Sequence, residues 1–213
     1  MLPNDSHVGG AATTFPTQLI SGKEYPVGMN ADQDGHIIGS LPAFGLMIPP
    51  AAVGASKLYF DLFNGSAANI LRMRKLFAVV ATDVAVTGAL GVRLDVFRTS
   101  AIGTGGTAAT TAASTSTTAP GFWAFNSNNA LVSGVTAHTV PTGGATSQQF
   151  LFPSFVFTEE TNMSSHIAQY YDLLPALPGM QSVECNPGQG MKVVQGTVAS
   201  VGTIGFLVIF TVE

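Results

Sequence analysis

From His36 onward the apolar and polar positions alternate with a period of two rather than 3.6, and β-branched and aromatic residues dominate the apolar set. This is the pattern of half-buried strands. In "KLYFDLF" (57–63), Leu58, Phe60 and Leu62 share one face while Tyr59, Asp61 and Phe63 share the other. In "GVRLDVFR" (91–98), Val92, Leu94 and Val96 face a core and Arg93 and Asp95 face away. Further strands are expected over 69–81, 148–158, 166–173, 180–184, 191–198 and 203–212, about eight in all, with turn clusters such as Asn64-Gly65 and Asn186-Pro187-Gly188 between them. No stretch has the spacing of a long amphipathic helix. Many short strands with Gly/Pro turns and no alternating helices predict an all-β fold, an antiparallel β-sandwich over 36–213 built as a single jelly roll.

Residues 1–35 lack this periodicity and are rich in Gly, Asn, Asp, Thr and Pro, which predicts an extended, irregular N-terminal arm. Such a segment has little apolar surface of its own, so the entropy cost of ordering it must be met by contacts elsewhere. Its bulky side chains, Phe15, Leu19, Ile20, Tyr25 and Val27, are the candidate anchors on a neighbouring subunit. The alternative is that the arm folds back as an edge strand on its own sandwich.

A second region without strand periodicity runs over about 99–147, and from 99 to 158 there is not one Asp, Glu, Lys or Arg. It contains "GTGGTA" (103–108), a G-x-G-x-x-A string placed after a strand. A dinucleotide fingerprint needs those glycines to open a helix, with an acidic residue about 20 positions on to hold the ribose. Here they lead into Thr- and Ser-rich sequence ending at Pro120, poor helix material with no acidic residue. The stretch therefore reads as a long neutral surface loop, packed against another chain or folded across its own domain.

Composition narrows the function classes. A chain of 213 residues with 46% hydrophobic content can bury one substantial core. Only 9% of residues are charged, against about 25% in ordinary soluble proteins, so its surface is neutral or covered by partners. A net charge of −4 with eight Lys and Arg argues against direct nucleic-acid binding. The first ten residues do not have the layout of a signal peptide. The longest strongly apolar run, 205–210, is too short to cross a membrane. Cys185 stands alone, so no intrachain disulfide is available. These features predict a soluble protein made in a cytoplasm.

Chemistry-bearing motifs are sparse. "NADQDGH" puts Asn30, Asp32 and Asp34 at the alternate positions of a calcium loop before Gly35, but the twelfth position, where a bidentate Glu is needed, is Leu41. An acidic turn and a partial calcium site both fit. His7, His36, His138 and His166 are scattered, with none at metal-ligand spacing to another His or to Cys185. There is no G-x-S-x-G elbow and no suggestive Cys–His pair, so a non-enzyme without cofactor or metal is expected. Lys57, Arg72, Arg74, Lys75, Arg93 and Arg98 fall within one span, which gives either a basic patch or cross-strand ion pairs with Asp61, Asp83 and Asp95. "GFWAFNSNN" gathers Phe122, Trp123 and Phe125 beside Asn126, Asn128 and Asn129. That grouping suits a sugar site, a protein interface or ordinary core.

"ECNPGQGMKVVQGTVASVGTIGFLVIFTVE" (184–213), with "LFNGSAANILRMRKLFAVV" (62–80) and "GVRLDVFRTSAIGTGGTA" (91–108), resembles the small jelly-roll structural proteins of phage virions. The likeness lies in a PGQG-type turn leading to a strand and a final apolar strand, and in a basic strand after an Asn/Gly turn. The resemblance implies a capsid decoration (cement) protein or minor capsid protein, located at the capsid surface of the virion. It also implies the major capsid protein as partner and a homotrimer as assembly. The neutral loop and the non-periodic arm depart from that pattern. A host-attachment or carbohydrate-binding β-sandwich module is the alternative.

Overall fold

The computed structural model describes residues 41–80, 88, 91–113, 115–142, 147–157, 169–172 and 183–213, with strand positions 6–7, 14–15, 17–20 and 23–26. The chain divides into two compact units, Met1–Leu41 and Pro42–Glu213, a later boundary than the one composition suggests. In the first unit β1 (Ser6–His7) pairs antiparallel with β2 (Thr14–Phe15), and β3 (Thr17–Ile20) with β4 (Lys23–Pro26). The arm thus contains two short ladders where only irregular chain was expected. The second has a sequence signal, Ser21-Gly22 between two short apolar-containing runs.

The second unit carries β5 (Ala43–Ala52), β6 (Leu58–Asn64), β7 (Leu71–Val80), β8 (Gly91–Thr99), β9 (Thr107–Ala108), β10 (Gly121–Ala124), β11 (Val135–Thr139) and β12 (Ser147–Phe157). It continues with β13 (Gln169–Asp172), β14 (Glu184–Cys185), β15 (Gln189–Gln195) and β16 (Thr203–Val212). The first sheet runs β10-β5-β16-β7-β13, with β14 also on β7, and the second runs β12-β8-β15-β6-β11-β9. Every ladder between strands is antiparallel. The chain crosses between sheets at β5–β6, β6–β7, β7–β8, β9–β10, β10–β11, β12–β13, β14–β15 and β15–β16, so strands consecutive in sequence lie mostly in opposite sheets. This is an all-β antiparallel β-sandwich. Among the described residues the one helical element is the 3₁₀ turn Thr111–Ala113, and no helix is long and apolar enough to cross a membrane.

The inner faces form one core. Phe44, Leu46 and Ile48 of β5, Leu71, Met73 and Leu76 of β7, and Phe206, Val208 and Phe210 of β16 meet Phe60 and Leu62 of β6, Val92, Leu94 and Val96 of β8, and Met191 and Val193 of β15. Phe206 links the sheets, with ring centroids 5.2 Å from Tyr59 and 5.4 Å from Phe60. Two buried amides close the ends of this core. Asn64 donates to the carbonyls of Asn69 (2.7 Å) and Cys185 (2.8 Å) and accepts from the Ser66 amide and hydroxyl. Gln195 accepts from the Gly54 amide (2.8 Å) and the Tyr59 hydroxyl (2.6 Å) and donates to Val198 O and Ser200 Oγ. Gln195→Ala strands the buried Tyr59 hydroxyl and the Gly54 amide, so a loss of about 3 kcal/mol is expected. Chemical denaturation of the variant against wild type measures it.

The expected strands in 57–63, 69–81, 91–98, 148–158 and 203–212 are present with boundaries shifted by a residue or two, and 191–198 is shifted to 189–195. Of 166–173 the strand Gln169–Asp172 is described, and 180–184 gives only the two-residue β14. Two corrections are larger. First, β5 breaks the alternation rule with Pro49-Pro50 inside it, yet it joins the sheet through a bulge: Ala51 faces Ile204 and Ile48 faces Phe206, so both prolines oppose Gly205 alone. A Cβ on Gly205 would stand 2.8 Å from Ile48 O and 3.0 Å from Pro50 N, which is why glycine occupies that place. Second, the supposed loop 99–147 contains β9, β10 and β11, which extend both sheets on the β5–β6 side.

Candidate interaction surface

The four residues of β10 sort the aromatic cluster into different environments. Phe122 points inward, 2% exposed, and meets Phe210 edge-on at 6.4 Å, so its place is in the core and not at an interface. Trp123 stands opposite Gly45 on the outer face, and a Cβ on Gly45 would collide with the indole. The missing side chain is therefore what lets Trp123 lie flat on β5 and bury Gly45. Phe125 follows the strand, its amide tied to Ala43 O at 3.0 Å, and its ring, 6.3 Å from that of Trp123, is 58% exposed. The Asn126 side chain accepts from the Asn128 amide at 3.0 Å, and its carbonyl accepts from the Asn129 amide at 2.9 Å. Both oxygens of Asn126 thus hold their own turn.

Strand register extends this ledge across the first sheet. Trp123, Gly45, Ile209 and Lys75 form one rung, and Gly121, Met47, Leu207 and Phe77 form the next. Met47, Leu207, Ile209 and Phe77 are half-buried, and Val79 is exposed. The outer face is thus apolar across β10, β5 and β16, with Lys75 of β7 closing the Trp123 rung.

The basic residues do not form a patch. Arg72 pairs with Glu213 at 2.7 Å and Glu184 at 3.2 Å, and Arg74 pairs with Glu213 at 3.3 Å while donating to Thr211 Oγ1. Arg93 pairs with Asp95 at 2.9 Å. Arg98 donates to Glu184 O and Gln189 Oε1. Arg72 and Arg74 pair with carboxylates from other parts of the chain, Glu184 and Glu213 rather than nearby Asp residues, whereas the Arg93–Asp95 pair lies along a single strand, β8; Asp83 lies outside the described residues. Lys57 donates to Ala52 O, lies 5.4 Å from the Tyr59 ring centroid, and has its pKa lowered by burial.

Asp61, on the strand face opposite Phe60 and Leu62, is fully buried. Its carboxylate accepts from the Gly103 amide at 2.6 Å and the His138 amide at 3.0 Å, with His138 Nδ1 at 3.4 Å. Lys192 sits opposite it in register and lies 5.9 Å from the Phe97 ring centroid. Among the described residues no group of three or more His, Cys, Asp or Glu could hold a metal. Asn30, Asp32, Asp34, His36 and His166 lie outside the described residues, as does the anchor Val27. Phe15 falls in β2, Leu19 and Ile20 in β3, and Tyr25 in β4.

Cys185 is buried, and desolvation pushes its thiol up from 9.0 to about 12, partly offset by Arg98. Holding the thiol neutral in the folded state means that stability falls as pH rises from about 9 towards 12. Native protein should therefore resist thiol reagents at pH 8 and react fully once unfolded, which a thiol titration with and without denaturant reads directly.

A cavity of about 230 Å³ opens beside the start of β10, walled by Pro49, Pro50, Tyr59, Thr118, Pro120 and Val140 among others. Neither it nor the Gly45–Trp123 seat was visible in the sequence, because each joins residues dozens of positions apart. No protein-family model matches the chain, and no curated protein or solved structure does.

Proposed function

We propose that this chain is a non-enzymatic structural protein of a phage virion, binding and stabilising the capsid lattice as a decoration (cement) or minor capsid protein. The observation that carries the proposal is the outer face of the first sheet, where Trp123, Met47, Leu207, Ile209 and Val79 present apolar surface while nearby arginines are neutralised by Glu184 and Glu213. Such a face suits broad contact with a neighbour and little desolvation of charge. The strand order, with β5-β16-β7-β13 in one sheet and β12-β8-β15-β6 in the other, supports the jelly-roll reading, an architecture used in viral shells. The partner is then the major capsid protein, the location the capsid surface, and the assembly a homotrimer. Mass spectrometry of purified particles should find the chain at many copies each; recovery from infected-cell lysate alone would sink the proposal.

The exposure of Phe125 beside Trp123 favours a second reading, a host-attachment or carbohydrate-binding module. Glycan-array binding that disappears in Trp123→Ala would support it.

A further inference from the structure

The cavity beside β10 is walled by no charged side chain. Its walls are largely Pro, Ala and Thr, with the buried Tyr59 held by its hydroxyl bond to Gln195, so filling it freezes few rotamers. At about 230 Å³ it is smaller than the roughly 300–1,000 Å³ typical of sites that enclose a small molecule, a size suited to one bulky side chain. Val140 on its rim has φ of 44°, a left-handed conformation that a β-branched residue adopts only under constraint. Its amide, donating to Tyr59 O at 2.8 Å, fixes it there, and the side chain remains 41% exposed. Strain held at the mouth of a preformed cavity points to a binding role.

The chain also carries a side chain of the right chemistry. Of the exposed large aromatics among the described residues, Phe150 is 46% exposed and packs edge-on against Phe97 at 5.4 Å, whereas Phe125 is 58% exposed with a wider, tilted contact to Trp123 at 6.3 Å. No charged residue occurs from 99 to 158, which includes Phe125 and the Thr118–Pro120 wall, and none of the residues walling the cavity is charged. Thr118 and Pro120 lead into β10 and Phe125 follows it. Plug and socket therefore stand at opposite ends of one edge strand, about 13 Å apart at about 3.3 Å per residue. We infer that Phe125 of one copy inserts into the cavity of the next, making a head-to-tail contact between copies of this chain. Such a contact is heterologous and closes into a ring when its rotation permits. The inference rests on the self-association in the proposed function but not on any particle.

The test uses purified full-length chain in sedimentation equilibrium. Phe125→Ser removes the plug, and Thr118→Trp fills the socket from an exposed position; each is expected to weaken self-association at least tenfold. An equimolar mixture of the two should form one-to-one dimers and nothing larger, because one variant keeps a socket and the other a plug. Circular dichroism checks each variant's fold, with Ala51→Phe replacing Thr118→Trp if the latter does not fold. The inference is overturned if wild type stays monomeric at all concentrations, if Phe125→Ser assembles like wild type, or if the mixture stays monomeric. Intact plug-and-socket assembly in a protein absent from particles would leave this inference standing and remove the capsid proposal.

Discussion

Asp61→Ala is expected to cost about 5 kcal/mol, the largest effect of any polar substitution in the sandwich. The Asp61 side chain is fully buried, and its two oxygens each accept a main-chain hydrogen bond, from Gly103 at 2.6 Å and from His138 at 3.0 Å. Hydrogen bonds to a charged group are worth about 1.5–3 kcal/mol each, and the orphaned amides lose their partner without regaining water. The damage also spreads. Gly103 belongs to the segment that leads into β9, and the tight crossing there leaves no room for adjustment: a Cβ on Gly106 would overlap the Thr139 carbonyl. Losing the carboxylate therefore frees the edge formed by β9 and β11. Asp61→Asn keeps one acceptor and should cost about half as much. Denaturant titration of both variants, with hydrogen exchange at Gly103 and His138, checks the assignment. Alanine and wild-type proteins of equal stability would show that the carboxylate carries no such role.

The same residue shows where sequence reading stops. Alternation within "KLYFDLF" places Phe60 and Leu62 on the core face and Asp61 on the other side, but it misplaces Tyr59, which joins the core 5.2 Å from Phe206 beside a register irregularity. What alternation cannot report is that a segment some 40 residues later covers that side. The core strands were legible because burial on one face writes a period of two into the chain. β5 was illegible because a bulge opposite Gly205 absorbs two prolines that by themselves argue against a strand. β10 and β11 were hidden by length, four and five residues within Thr- and Ser-rich sequence. The aromatic cluster was found as a cluster, but its division needed the register: Phe122 joins the core, Trp123 covers Gly45, and Phe125 alone stands out. Ion pairing of the arginines was anticipated as a class, while the partners Glu184 and Glu213 come from the far end of the chain.

On the virion role proposed above, removing residues 1–41 is expected to leave the sandwich folded and to reduce particle binding at least tenfold. The core side chains named above all lie between Phe44 and Val212, within the unit Pro42–Glu213. The cut is placed at Pro42 because its carbonyl accepts from the Val212 amide at 3.0 Å, a bond that pins the start of β5 beside the end of β16. The ladders of the first unit are two and four residues long, and isolated two-stranded ladders are at best marginally stable in water. Ordering each residue costs about 1–2 kcal/mol, so a segment this poor in apolar side chains gains most by closing on a surface outside itself. Phe15, Leu19, Ile20 and Tyr25 are the bulky apolar residues that those ladders carry. Thermal unfolding of the truncated chain should then match wild type within a few degrees, while its occupancy on particles falls. Loss of cooperative unfolding would mean that the arm completes its own sandwich. Full occupancy by the truncated chain would move attachment from the arm to the outer face around Trp123.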